Sequence, residues 1–408
     1  MSDDDGGGEG LPGLAALIAA YQMAEDNAGL RATLPLAGHA LIEHQVRQAT
    51  RAGANHVVIL VERVPAALTA AIDRLRRGGI AVEVARSVSD AADRIHPDEK
   101  LLFIADGLIA DQALIDRLVA ARPPAMMTVP DDPGHAMFER IDAADRWAGL
   151  MLVNGARLRS TAAMLGDWDL QSTLLRRTVQ EHPIRIDATG GLSIVSGVAD
   201  VTAVRDRLLL DTRGREGSWL DRWVYPPIED RLAPPLIRAE TDPVWLRGGA
   251  IALALAAAAM FLAGWLWPGL VLLLIAGPVD AVAVRLARMR LQSFRPDKPA
   301  ALMRQGSSAA ALLALAWRVS LTGGWGCWLL AFATLAFLVA QGVEERMLAR
   351  LAGKSTGLPV WRADGDALAW TLLIVTVALG WTIGLAATAL HALASFFAVQ
   401  RRLSAAIR

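Results

Sequence analysis

Near Pro243 the sequence changes character, and that change restricts the fold more than any other feature. Upstream, short apolar runs alternate with charged amphipathic segments; downstream come long runs of Ala, Leu, Val and Trp. Runs of this length are the mark of helices that cross a bilayer. Six spans are expected, at about 245–266, 268–286, 306–322, 325–342, 366–381 and 383–400, several of them short for a hydrocarbon core. Basic residues cluster at Arg231, Arg238 and Arg247, at Arg285, Arg288, Arg290, Arg295, Lys298 and Arg304, at Arg346, Arg350, Lys354 and Arg362, and at Arg401, Arg402 and Arg408. The alternate connections, near Trp267, Gly323 and Gly380, are nearly free of charge. The positive-inside rule then predicts a multi-pass protein of the inner, cytoplasmic membrane with both termini in the cytoplasm.

A chain of 408 residues, 54% of them apolar, has room for a soluble domain ahead of those spans. Its formal net charge is zero, so no global field attracts nucleic acid. The single cysteine, Cys327, excludes a disulfide within the chain and fits a cytoplasmic soluble part. The opening MSDDDGGGEG has neither the basic nor the apolar segment of a signal peptide, and residues 1–11 are expected to be a disordered tail. From residue 12 to 210 the pattern predicts strands at Leu14–Ala20, His56–Val61, Ile80–Ala85, Leu101–Ala105, Ala125–Val129 and Trp147–Val153. Amphipathic helices such as Ala40–Ala52 and Val64–Arg77 separate several of them. That rhythm predicts an α/β domain with a mostly parallel sheet. Residues 211–243 read as a juxtamembrane segment and as an anchor helix broken at Pro226–Pro227, with Trp219, Trp223 and Tyr225, and Trp245 just beyond it, suited to an interface. The all-α membrane domain occupies 244–408.

One stretch of that membrane domain carries chemistry. GPVDAVAVRLARMRLQSFRPDKPAALMRQ leaves the second span and enters the third, and it resembles the CDP-alcohol phosphatidyltransferase signature D-x-x-D-G-x-x-A-R-x8-G-x3-D-x3-D. Asp280 matches the first aspartate, and Ala287 and Arg288 match the Ala-Arg pair. Elsewhere the pattern fails: Ala283, Val284, Asp297, Ala301 and Gln305 stand where it has Asp, Gly, Gly, Asp and Asp. Two divalent cations need several hard oxygen ligands, and one carboxylate cannot hold them. Six spans with alternating basic loops also match that family's membrane domain.

The soluble half resembles the sugar-nucleotide and inositol-phosphate nucleotidyltransferases, which implies a GT-A-like fold. LPLAGHALIEHQVRQATRAGANHVVILV is similar to the segment after their phosphate loop, LLFIADGLIAD to the strand that ends in a metal-binding aspartate, here Asp106, and WAGLMLVNGARL to a later strand. Where that family has a glycine-rich loop, this chain has Tyr21, Gln22, Met23, Ala24, Glu25, Asp26 and Asn27, and Leu34 replaces the lysine before Pro35. Glu25 and Asp26 repel a triphosphate, and side chains block the close backbone approach that glycine allows. Asp106-Gly107 also reads as a plain turn, and Asp187 more readily as a cap or solvated residue than as a second metal ligand.

The layout, nucleotidyltransferase-like then CDP-alcohol phosphatidyltransferase-like, is that of the bifunctional inositol-phosphate cytidylyltransferase and di-inositol-phosphate-phosphate synthase type. With both motifs degraded, the expectation is a pseudoenzyme with a binding or regulatory role in phospholipid or polar-headgroup synthesis. An active membrane transferase moving a phospho-alcohol group from a CDP-activated donor through non-standard residues is the alternative. No catalytic residue is assigned. Arg288, Asp280 and Arg290 are the candidate headgroup-binding residues, and Asp280 and Asp106 the candidate metal ligands, with Mg or Mn involved only if activity remains. Membrane lipids are the expected partners, together with a second copy of the chain or an active relative.

Overall fold

In the computed structural model the described residues are 13–26, 29–164, 169–188, 190–212, 218–239, 241–291, 299–352 and 358–407, and two compact units divide between Leu208 and Leu209. The tail 1–11, and Arg295, Asp297, Lys298, Lys354 and Arg408, lie outside the described residues.

The run LAALIA forms the central strand β1 (Leu14–Ala19), buried along its whole length as a strand covered on both faces requires. The main sheet continues through β2 (His56–Leu60), β3 (Val82–Ala85), β4 (Lys100–Ile104), β5 (Ala125–Pro130), β6 (Asp145–Asn154) and β7 (Ile184–Asp187). Across the sheet the order is β7-β5-β6-β4-β1-β2-β3, with a short eighth strand, Glu139–Arg140, beside β6. Every neighbouring pair on that path is parallel except the two made by β6. All six expected strands lie within two residues of an observed one; β7 was not among them. Helix α1 (Leu41–Arg51) buries Glu43, whose carboxylate accepts from the Ala40 amide at 3.1 Å and pairs with Arg74 at 2.6 Å. Gln45 on the same helix donates to the carbonyls of Ala105 and Leu108 at 3.1 and 2.9 Å, which fixes the turn after β4. Helix α2 (Ala66–Arg77) supplies Arg74.

The second unit is helical. Pro226 and Pro227 do not break the juxtamembrane helix as expected. They open it, because α3 (Tyr225–Arg238) starts there and a first turn needs no donors from those positions. A π-helical turn, Leu220–Val224, precedes it. Then follow α4 (Pro243–Leu262), α5 (Leu266–Met289), α6 (Pro299–Gly323), α7 (Gly326–Ala352), α8 (Gly365–Leu379) and α9 (Trp381–Ile407), one at each expected span. Among the described residues four stretches are long and apolar enough to cross a membrane: Pro243–Leu262, Leu266–Met289, Gly326–Leu348 and Trp381–Ile407. Helix α8 is apolar but has only 15 residues, and α6 is not among the four.

Small residues line the packing surfaces. Ala254, Ala257 and Phe261 of α4 share one buried cluster with Leu270 and Ala276 of α5 and Ala311 and Leu315 of α6. The rings of Trp267 and Trp381 lie 5.1 Å apart, so the α4–α5 and α8–α9 connections sit at one end of the bundle. Arg247 of α4, Asp280 of α5, Arg304 of α6 and Asp366 of α8 gather toward the other, whereas Arg318 of α6 lies by Gly264 at the tryptophan end.

Candidate functional site

In the first unit the sheet places β2 and β3 on one side of β1 and β4 on the other. Open α/β sheets bind ligands beyond the carboxyl ends of their strands at such a reversal. There β1 runs into residues 20–26, and β4 into Ala105, Asp106 and Gly107. Asp106 is buried; its Oδ2 accepts from the Gln22 amide at 2.7 Å, and its Oδ1 has no hydrogen-bond partner among the described residues. Burial pushes the carboxyl up to about 6, against the pull of the Gln22 amide, the Arg31 guanidinium and the amides of Tyr21 and Gly107. Gly107 has φ +74°, and a Cβ there would lie 2.6 Å from the Val195 carbonyl oxygen.

The loop that a phosphate would need is therefore used internally. The Gln22 amide serves Asp106, the Glu25 amide donates to the Ser196 carbonyl at 3.0 Å, and Asp26 accepts from the Val198 amide at 2.9 Å. Asp187 ends β7, exposed and three strands from β4, so the sheet does not bring it to Asp106.

In the second unit α5 carries Asp280 two residues after Pro278, where the proline removes an intrahelical donor. Arg247 of α4 reaches it with Nε 2.8 Å from Oδ1 and Nη2 3.4 Å from Oδ2. Arg304 of α6 approaches Oδ2 to 4.0 Å through Nε and pairs with Asp366 of α8 at 2.9 Å through Nη2. Two buried guanidiniums and two carboxylates thus form a chain across four helices. Burying charge in this way is tolerated because each has an opposite neighbour. Asp364 caps α8 by accepting from the Ala367 amide at 2.7 Å. Asp221, outside the helices of the bundle, has its carboxyl raised by burial and by Asp364, while the Ser218 amide, Arg362 and Arg288 act in the opposite sense.

Asp280, Arg304, Asp364 and Asp366 line one end of a cavity of about 1100 Å³ bounded mainly by α6, α7 and α8. Leu312, Leu338, Val339 and Leu372 make up its apolar part. Gln341 borders the polar end and is 4% exposed. Its Nε2 donates to Glu345 Oε1 at 2.8 Å and to the Ala363 carbonyl at 3.0 Å, and its Oε1 has no partner among the described residues.

Of the candidates read from the sequence, Asp280 lines this cavity. Arg288 is exposed and does not line it, and Arg290 is buried and donates to the Thr241 carbonyl at 2.9 Å. Arg285 is buried against Glu229 and Asp230 at 3.1 and 2.9 Å. Of the positions where the signature has aspartates, Ala283 is fully buried, Ala301 half-buried and Gln305 exposed at the cavity. Arg247, Arg304, Gln341, Asp364 and Asp366 were not singled out as site residues. Their signals were a basic flank shared with any cytoplasmic loop and an Asp-Gly-Asp at a helix start.

The residues present do not fit a Mg or Mn centre. Among the described residues no three His, Cys, Asp or Glu side chains are placed to hold a metal ion, and both oxygens of Asp280 face guanidiniums. Comparison of the sequence with protein-family models and with curated proteins finds no match.

Proposed function

We propose that this chain is a six-span membrane protein of the fused nucleotidyltransferase and CDP-alcohol phosphatidyltransferase layout that binds a polar-headgroup ligand without turning it over by metal-assisted phosphotransfer. One observation carries the reading: Arg247 and Arg304 stand against Asp280, so fixed cations neutralise the carboxylate that the signature would give to a metal. In the same reading the soluble unit keeps the scaffold of a nucleotidyltransferase while the Gln22 amide is committed to Asp106 and Glu25 and Asp26 stay exposed. Such a protein acts by holding a ligand or by pairing with a second copy or an active relative in lipid synthesis at the cytoplasmic membrane.

A second reading, an active transferase with non-standard residues, draws on Asp364 and Asp366, which line the same cavity as Asp280. One assay separates the two. The purified full chain is reconstituted with CDP-activated donors, candidate alcohols and Mg or Mn, beside an Asp280→Ala variant. No metal-dependent product is expected from either. Turnover that requires the metal and vanishes in the variant overturns the proposal.

A further inference from the structure

The cavity has the shape and chemistry of a site for one amphiphile. At about 1100 Å³ it lies just above the roughly 300–1,000 Å³ usual for small-molecule sites. Its walls are leucine-rich along α6, α7 and α8, and all its named charges lie toward the ends of these helices that bear Arg304, Glu345 and Asp366. A ligand that fills it has an apolar tail and a polar head.

The polar end specifies the head. Gln341 presents an acceptor without a donor, and its amide cannot turn over without losing both bonds of Nε2. Asp364 and Asp366 each commit one oxygen, to the Ala367 amide and to Arg304, which leaves further lone pairs at the same wall. Arg304 is itself 7% exposed and is held by Asp366 and the Ser308 hydroxyl beside Asp280, which leaves one donor, its Nε–H, without a hydrogen bond among the described residues, against the Gln341 oxygen and the remaining carboxylate lone pairs. Acceptors therefore outnumber donors deep in the site. Arg346, exposed at the cavity, donates to the Gly342 carbonyl through Nε and presents a cation to the outer part of the head.

We propose that the cavity binds a zwitterionic phospholipid whose headgroup carries a primary ammonium, with the ammonium against Gln341, Asp364 and Asp366, the phosphate toward Arg346, and an acyl chain between α6, α7 and α8. This rests on the binding reading above and names its ligand class. Three ammonium N–H groups match three acceptors, and a headgroup bearing only hydroxyls and an anion brings no cation to Asp364, whose carboxylate, unlike that of Asp366, is not paired with Arg304.

The full chain, purified in a nonionic detergent, is incubated with phosphatidylethanolamine, with phosphatidylglycerol of the same acyl chains, or with phosphoethanolamine alone, and bound ligand is read by native mass spectrometry. Phosphatidylethanolamine is expected to be retained about tenfold over phosphatidylglycerol. Asp364→Asn keeps a capping side chain, removes the charge, and is expected to reduce that retention about tenfold. Leu338→Trp fills the apolar part and is expected to abolish lipid retention while leaving any phosphoethanolamine binding unchanged. Equal retention of the two lipids overturns the inference, as does undiminished phosphatidylethanolamine retention in both variants. Metal-dependent turnover overturns the earlier reading and leaves this one standing, whereas equal retention does the reverse.

Discussion

Asp106 is a carboxylic acid held where its charge is poorly solvated, and this has a measurable sign. Its folded pKa, about 6, lies above the ordinary value near 3.8, so the protonated form favours folding. The stability it contributes is present below pH about 4 and is lost as pH rises to about 6, a change of about 3 kcal/mol at most. Calorimetric unfolding of the full chain between pH 4.5 and 7 should show this fall in the transition of the soluble unit, and Asp106→Asn should flatten it. A slope unchanged in the variant would assign the pH dependence elsewhere. Glu43 is the contrasting case: burial opposes its charge, but bonds from His39 and Arg74 hold its carboxyl down at about 2. Both residues were visible in the sequence, but their environments were not. Gln22 and Arg31 come to Asp106 from 84 and 75 positions away in the chain, and no local pattern announces that.

Helices and strands were legible wherever burial imposed a period or a run. LAALIA and HVVIL are wholly or almost wholly buried and read as inner strands, whereas IRID of β7 is an edge strand, largely exposed, and offers no apolar run to read. The close approach of α3, α5 and α8 likewise depends on one residue that periodicity ignores. A Cβ on Gly277 would collide with Tyr225 Oη and lie 3.0 Å from Asp366 Cγ. Gly277→Ala is expected to destabilise the bundle by about 1–3 kcal/mol. Tyr225→Phe in the same chain removes the colliding oxygen, which has no hydrogen-bond partner, and should recover part of that loss in a thermal unfolding comparison. Additive effects of the two changes would show that the contact does not limit the packing.

On the scale of the molecule, the apolar pattern marked six helices, and the bundle brings their polar ends together although Arg247, Asp280, Arg304 and Asp366 span 120 positions of sequence. Exposed tryptophans mark the connections at the opposite end, Trp265 and Trp325 among them. If all six helices cross the bilayer with both termini inside, single cysteines replacing Trp325 and Trp361 must label from opposite sides in intact cells. Labelling from the same side would remove the six-span arrangement. The positions of the site were thus half legible: Asp280 stood out through a signature, while Arg247 and Arg304 looked like ordinary loop charges until the helices placed them against it. Their placement has a further consequence. A bound ion is shared with the surrounding solution and leaves when its concentration drops, but a guanidinium on the same chain has no off-rate. The Arg247–Asp280–Arg304 cluster carries its counter-charges on the chain itself, so in the proposed reading binding by the cavity does not follow the ion supply.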